Sequence, residues 1–177
     1  MLLAQVQRVE AGIERVAERT PGLSVTEAMI LRVGVLLGRS LTAGLEQWLK
    51  PVALAEMEFR ALISLYSQGD GRAHPSDLCA TLAQSPANLT RVGDALAERG
   101  LITRELSDQD RRRMVMRITP AGEQLVSEML PEMIAYTREL FKEFTAEDKS
   151  RLLGDLKRLL GALDAATEAA TEKLPST

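Results

Sequence analysis

Two short stretches carry the residue types best suited to molecular recognition: Ser85-Pro-Ala-Asn-Leu-Thr-Arg-Val-Gly-Asp94 and Asp108-Gln-Asp-Arg-Arg-Arg113. In the first, a serine followed by a proline reads as a capping side chain and a first helical residue. Leu89, Val92 and Leu96 then fall on one apolar face, which leaves Ser85, Pro86, Ala87, Asn88, Thr90, Arg91 and Asp94 for the other. Small and hydrogen-bonding residues at a helix start suit the major groove of duplex DNA. Asn pairs bidentately with adenine, Arg with guanine, and Ala or Thr touches a thymine methyl. The free amides beside Ser85 also suit a phosphate. An ordinary surface helix would show the same pattern, so this stretch does not decide the matter alone. In the second stretch Arg111, Arg112 and Arg113 stand where a projecting loop would meet a polyanion, with Asp110 placed to fix an arginine fork. A solvated charged turn, or a loop that meets an acidic protein, fits the same residues.

The elements that must hold these stretches are legible from period and punctuation. Ser24-Val-Thr-Glu27 has the capping-box spacing, and Ile30, Val33, Leu37, Leu41, Leu45 and Trp48 repeat at helical steps up to Lys50-Pro51. A helix over 55–68 places Phe59, Leu62, Ile63 and Tyr66 on one side. His74-Pro-Ser76 opens a short helix expected over 77–83, and a tight turn leads to the capped helix at Ser85, which stops at Gly100. This is the helix-turn-helix pattern. After Gly100 the period changes to alternation, over 101–106 and again over 114–118, which predicts a β-hairpin around the arginine loop. Thr119-Pro120 and Thr145-Ala-Glu-Asp148 start two further helices, the second rich in leucine, and the residues after Ala170 are expected to fray. The fold class that follows is mainly α with a small β-hairpin wing. We read dimerisation helices over 1–52, a winged helix-turn-helix over 53–120 and dimerisation helices over 121–177, in one compact chain. The flanking helices carry more apolar face than so small a module covers, so a second copy of the chain is expected.

The 177 residues carry a net charge of −3, which argues against a protein that coats nucleic acid, yet the distribution is uneven. Arg99, Arg104, Arg111, Arg112, Arg113 and Arg117 outnumber Glu105, Asp108 and Asp110 around the hairpin, while acidity gathers towards the C-terminus. Aromatics are only 3% of the chain, so its core must be aliphatic. Apolar runs never approach the roughly 18 uninterrupted residues of a spanning helix, and the first ten residues lack the layout of a signal peptide. A cytoplasmic protein with no membrane partner is the expectation. One cysteine and one histidine are too few for a disulfide or for a zinc site of the usual ligands, so no metal and no cofactor are expected. No nucleophile elbow, phosphate loop or paired carboxylate points to an enzyme, and no catalytic residue is assigned. Cys79 raises the alternative of a thiol redox regulator. Its nearest charge is Asp77, which would not activate a thiol, and it reads as structural. For a small-molecule pocket, Trp48, Met57, Phe59, Tyr66 and Met133 could line an apolar cleft with Arg39 or His74 meeting an anion, although core or interface packing is the commoner use of any one of them.

From residue 76 to 122 the order of motifs resembles the MarR family of bacterial transcriptional regulators: a helix-turn-helix, Glu98-Arg-Gly-Leu-Ile-Thr-Arg104, Asp108-Gln-Asp-Arg-Arg112 and Ile118-Thr-Pro-Ala-Gly122. Leu65-Tyr-Ser-Gln68, Pro75-Ser-Asp-Leu78 and Glu105-Leu-Ser-Asp108 are most similar to repressors of multidrug efflux pumps. The resemblance implies a dimer of interlocked terminal helices on a pseudo-palindromic operator, with recognition helices in successive major grooves and wings in minor grooves. It makes Arg112 the minor-groove arginine and gives Arg111, Arg113 and Ser76 to the DNA backbone. It further implies release by a small aromatic or phenolic, often anionic, effector. The sensing cysteine of peroxide-responsive relatives lies in the N-terminal helix, where this chain has none.

Overall fold

Residues 1–106 and 113–172 are described by a computed structural model of the chain. α1 (Leu2–Ala17) ends before Thr20-Pro-Gly22, and the Ser24 hydroxyl accepts the Glu27 amide at 3.3 Å to open α2 (Val25–Leu49), as the spacing predicts. Pro51 ends α2 through a 3-10 turn, Lys50–Val52. Ala53 then adopts a left-handed conformation (φ 50°) and sends the chain into α3 (Glu56–Tyr66), where the Glu58 carboxylate accepts the Ala55 amide at 3.0 Å.

α4 (Pro75–Leu82) begins two residues before the expected start, because Pro75 takes the first helical position that its ring prefers. It stops at Ala83, again left-handed (φ 51°). The Ser85 hydroxyl then accepts the Asn88 amide at 3.2 Å and starts α5 (Pro86–Glu98). Gly100 (φ 69°) releases the chain into the sheet.

The sheet has three strands rather than the hairpin alone. β2 (Ile102–Leu106) and β3 (Met114–Ile118) pair antiparallel, Thr103 opposite Arg117, and β1 (Arg72–Ala73) adds to the free edge of β3 in the order β1-β3-β2. Two residues are too few to show an alternating pattern, so β1 left no trace in the sequence.

The core is aliphatic, as composition requires. Leu62 and Leu65 of α3, Leu78 of α4, Leu89 and Leu96 of α5, and Ile102 and Ile118 of the sheet are all buried. Each such side chain stabilises the fold by about 1.5–3 kcal/mol relative to exposure. α6 (Pro120–Leu140) and α7 (Ala146–Glu172) complete the chain. The described residues form two compact units divided between Val126 and Ser127. In the second unit Phe141 and Phe144 meet edge to face at 5.5 Å between α6 and α7.

The apolar stripe of α2 is exposed in the single chain, Ile30 and Leu37 by half. Val25–Val52 is long and apolar enough to cross a membrane by length and composition, although no uninterrupted apolar run signalled it. Arg32 and Arg39 break its middle.

Candidate nucleic-acid interface

The recognition residues read from the sequence gather at the start of α5. Leu89, Val92 and Leu96 are buried behind it, so that Ser85, Pro86, Ala87, Thr90, Arg91 and Asp94 stand exposed in front. Not all of them are equally available. The Thr90 hydroxyl donates to the Pro86 carbonyl at 2.9 Å, which uses its one proton and leaves the oxygen only as an acceptor. Asp94 is gripped by Arg104 of β2 at 2.6 Å, and the same guanidinium donates to the Thr90 carbonyl at 3.0 Å. Asn88 is half-buried, with both ends of its amide occupied: Nδ2 donates to Gln84 at 2.6 Å and Oδ1 accepts from Arg91 at 2.9 Å.

Gly93 gives Arg104 its room. A Cβ there would come within 2.6 Å of both the Arg104 guanidinium and the Met116 methyl, so a glycine in mid-helix leaves space for these two side-chain ends over α5.

The arginine-rich segment around the hairpin divides by use. Arg99 donates to the carbonyls of Ala53 and Val52 at 2.6 and 2.8 Å, tying the C-terminus of α5 to the turn after α2. Arg117 pairs with Glu105 at 3.2 Å across the strands. With Arg104 on Asp94, three of the six arginines serve the fold. Arg113 is exposed where β3 begins, and Asp110, Arg111 and Arg112 lie outside the described residues. Ser76 is exposed on the first turn of α4, donating to Asp77 at 3.3 Å.

A groove of 550 Å³ runs beside α5, lined by Pro75, Ser76 and Cys79 of α4, Pro86, Leu89 and Thr90 of α5, and Arg104, Met114, Val115 and Met116 of the sheet. Its wall is mainly apolar, with one guanidinium. Of the residues considered for a ligand cleft, the six in the first unit do not line one common cavity. Trp48 and Phe59 meet edge to face at 5.5 Å, with Phe59 buried in the core and Trp48 half-buried. Met57 is half-buried on α3, and Tyr66 is exposed at its end. Arg39 lines a small cleft between α1 and α2 together with Arg32. Met133 belongs to the second unit, beside Ile134 and Phe141. His74 donates from Nδ1 to the Met114 carbonyl at 3.2 Å and borders a polar cleft with Asp70, Asp77 and Glu105. Among the described residues no cluster of His, Cys, Asp and Glu could hold a metal ion.

Sequence and structure comparisons agree with this geometry. A sequence model described as the MarR family matches residues 54–113. The transcriptional repressor MprA of Escherichia coli K12 is 31% identical over 148 residues, 84% of each chain. AbsC of Streptomyces coelicolor, a MarR family transcriptional regulator, superposes with a TM-score of 0.74 at 27% identity, over 82% of this chain and 99% of its own. BpsR of Bordetella bronchiseptica, whose DNA binding is regulated by 6-hydroxynicotinic acid, superposes at 0.60 with 26% identity, over 72% and 91%. A helix-turn-helix whose second helix is capped and solvent-facing, backed by a wing sheet and matched along its length by regulators, leaves one assignment: the chain belongs to the MarR family of transcriptional regulators.

Proposed function

We propose that this regulator is a cytoplasmic homodimeric repressor that binds a pseudo-palindromic operator and is released by a small aromatic or phenolic compound. Like its relatives it is not an enzyme. The observation that carries the reading is the start of α5: a capped, exposed helix end presenting Ala87, Thr90 and Arg91, with its rear face locked into the core. Such a helix enters a major groove, and its Ser85 cap can take a phosphate. In this reading Arg112 enters the flanking minor groove with Asp110 fixing its fork, and Arg111, Arg113 and Ser76 meet the backbone. The exposed apolar stripe of α2 and the leucines of α7 are the surfaces a second copy covers. A dimer carries two recognition helices, hence a two-fold operator.

Release by a ligand is supported by the behaviour of BpsR and by the groove beside α5. An anionic aromatic compound lying on Leu89 and Met116 would compete with Asp94 for Arg104. That competition would disturb the helix that reads the bases.

The test is binding of the purified protein to the DNA upstream of its own gene and its neighbours, titrated with salt and then with salicylate. Sequence-selective binding that weakens with salt supports the operator reading, because each phosphate contact releases counterions. Arg112→Ala is expected to cost about 1–3 kcal/mol of operator affinity with the dimer intact. Equal affinity for every duplex would reassign the arginine wing to an acidic protein, and no response to salicylate would remove that compound as the effector.

A further inference from the structure

One polar chain runs from the turn of the helix-turn-helix to the outer face of α5, and every donor in it points the same way. The Gln84 Nε2 donates to the Leu82 carbonyl at 3.2 Å, which anchors the side chain on the backbone at the end of α4. Its Oε1 is thereby turned towards α5, where it accepts from Asn88 Nδ2 at 2.6 Å. That bond in turn fixes the Asn88 amide with Oδ1 outward, where it accepts from the Arg91 guanidinium at 2.9 Å. An amide has distinct donor and acceptor ends, so the backbone carbonyl of Leu82 dictates both amide orientations in succession. Gln84 and Asn88 are half-buried, and Arg91 is exposed.

The relay uses one N–H of the guanidinium, and Arg has five, so a donor pair remains for an acceptor pair such as guanine O6 and N7. The charge is also kept. Asp94, one turn further along α5, is engaged by Arg104 instead, so the carboxylate within reach of Arg91 is diverted to the wing sheet. Of the two arginines beside the recognition helix, Arg104 is neutralised by a carboxylate. Arg91 is steadied by a neutral amide.

We propose that Gln84 and Asn88 are positioning residues that set the base preference of Arg91, and that Asn88 does not itself read adenine. The inference rests on the DNA-binding reading and deepens it by naming the residue that discriminates and the two that aim it. An arginine held in one rotamer loses less freedom on docking, and a fixed fork rejects a base whose acceptors lie elsewhere.

The experiment uses the full chain to select duplexes from a randomised library, and then measures binding to the selected duplex and to single-base variants of it. Four proteins are compared with the parent: Gln84→Met, Asn88→Ala, Arg91→Ala, and the Asn88→Ala/Arg91→Ala double variant. Thermal melting of each confirms folding. Arg91→Ala is expected to lose discrimination at one guanine position by on the order of tenfold or more. Gln84→Met and Asn88→Ala should relax preference at that same position, with melting unchanged. In the Arg91→Ala background, Asn88→Ala should add nothing, because the relay has lost its end. Loss of preference at a separate adenine position, additive with Arg91→Ala, would overturn the proposal and make Asn88 a reader. Gln84→Met with the parent's full discrimination would overturn it as well. If the parent enriches no sequence, the DNA-binding reading itself fails, an outcome visible before any variant is compared.

Discussion

Gly122 closes the stretch Ile118-Thr-Pro-Ala-Gly122, and the structure supplies a reason for a glycine there. A Cβ at this position would collide with the Leu101 carbonyl oxygen and stand 2.8 Å from Ile118 Cγ1. The approach is close because Thr119 binds the same turn twice: its amide donates to the Leu101 carbonyl at 3.0 Å and its hydroxyl to the Gly100 carbonyl at 2.7 Å. That hydroxyl also accepts the Gly122 amide at 3.1 Å and so caps α6. Gly122→Ala is therefore expected to destabilise the fold by about 1–3 kcal/mol, since the colliding atom is backbone and cannot swing aside. Urea unfolding checks this, and an unchanged midpoint would mean that the turn at Leu101 yields freely. The presence of this glycine was legible in the sequence, but its reason was not, because the atom it avoids lies on another element. For the arginines, charge was legible and use was not. Arg99, Arg104 and Arg117 count as positive charge in the sequence, yet each is spent on a carbonyl or carboxylate of the fold. A side chain's type does not reveal its partner.

Elements whose signals lie within one turn were read closely from the sequence. Ser85 with Asn88, and Thr145 with Asp148, are partners three residues apart, so spacing alone finds them. β1 bonds to residues more than 40 positions away, and nothing in Arg72-Ala73 announces that. The start of α7 yields a pH prediction. Asp148 accepts the Thr145 hydroxyl at 2.7 Å and the Thr145 amide at 3.1 Å, and these bonds, the hydroxyl's foremost, hold its carboxyl below the usual carboxylate range. A carboxyl lowered in the folded state contributes stability above its unfolded value and loses it as pH falls through the folded one. The start of α7 should thus hold at neutral pH and loosen only in acid. Thr145→Val keeps the branched shape and removes the hydroxyl, so the Asp148 midpoint followed by carboxyl NMR should rise. A midpoint unmoved by that substitution would assign the shift to the backbone amide and Arg151.

At the scale of the molecule the leading question is what covers the apolar faces. Leu153, Leu160 and Leu163 of α7 are 53%, 60% and 57% exposed in the single chain, so this leucine face is left largely in water. A 27-residue helix with a leucine face left in water forfeits about 25 cal/mol for each Å² that could be buried. α2 poses the same problem with its half-exposed stripe, for which a membrane is the weaker answer because Arg32 and Arg39 sit in the middle of the helix. The two answers separate in solution. A protein that buries these faces against its own copy should sediment as a dimer without detergent. Leu156→Glu with Leu160→Glu, both on the exposed face of α7, should give a monomer whose melting of the winged-helix unit is retained. Losing the second recognition helix removes the bivalent grip on a two-fold site, so operator affinity should fall on the order of a hundredfold or more. A variant that stays dimeric with the parent's affinity would move the interface away from α7. A monomer that keeps the parent's affinity would show that one copy reads the operator by itself, and the two-fold operator would then have to be abandoned.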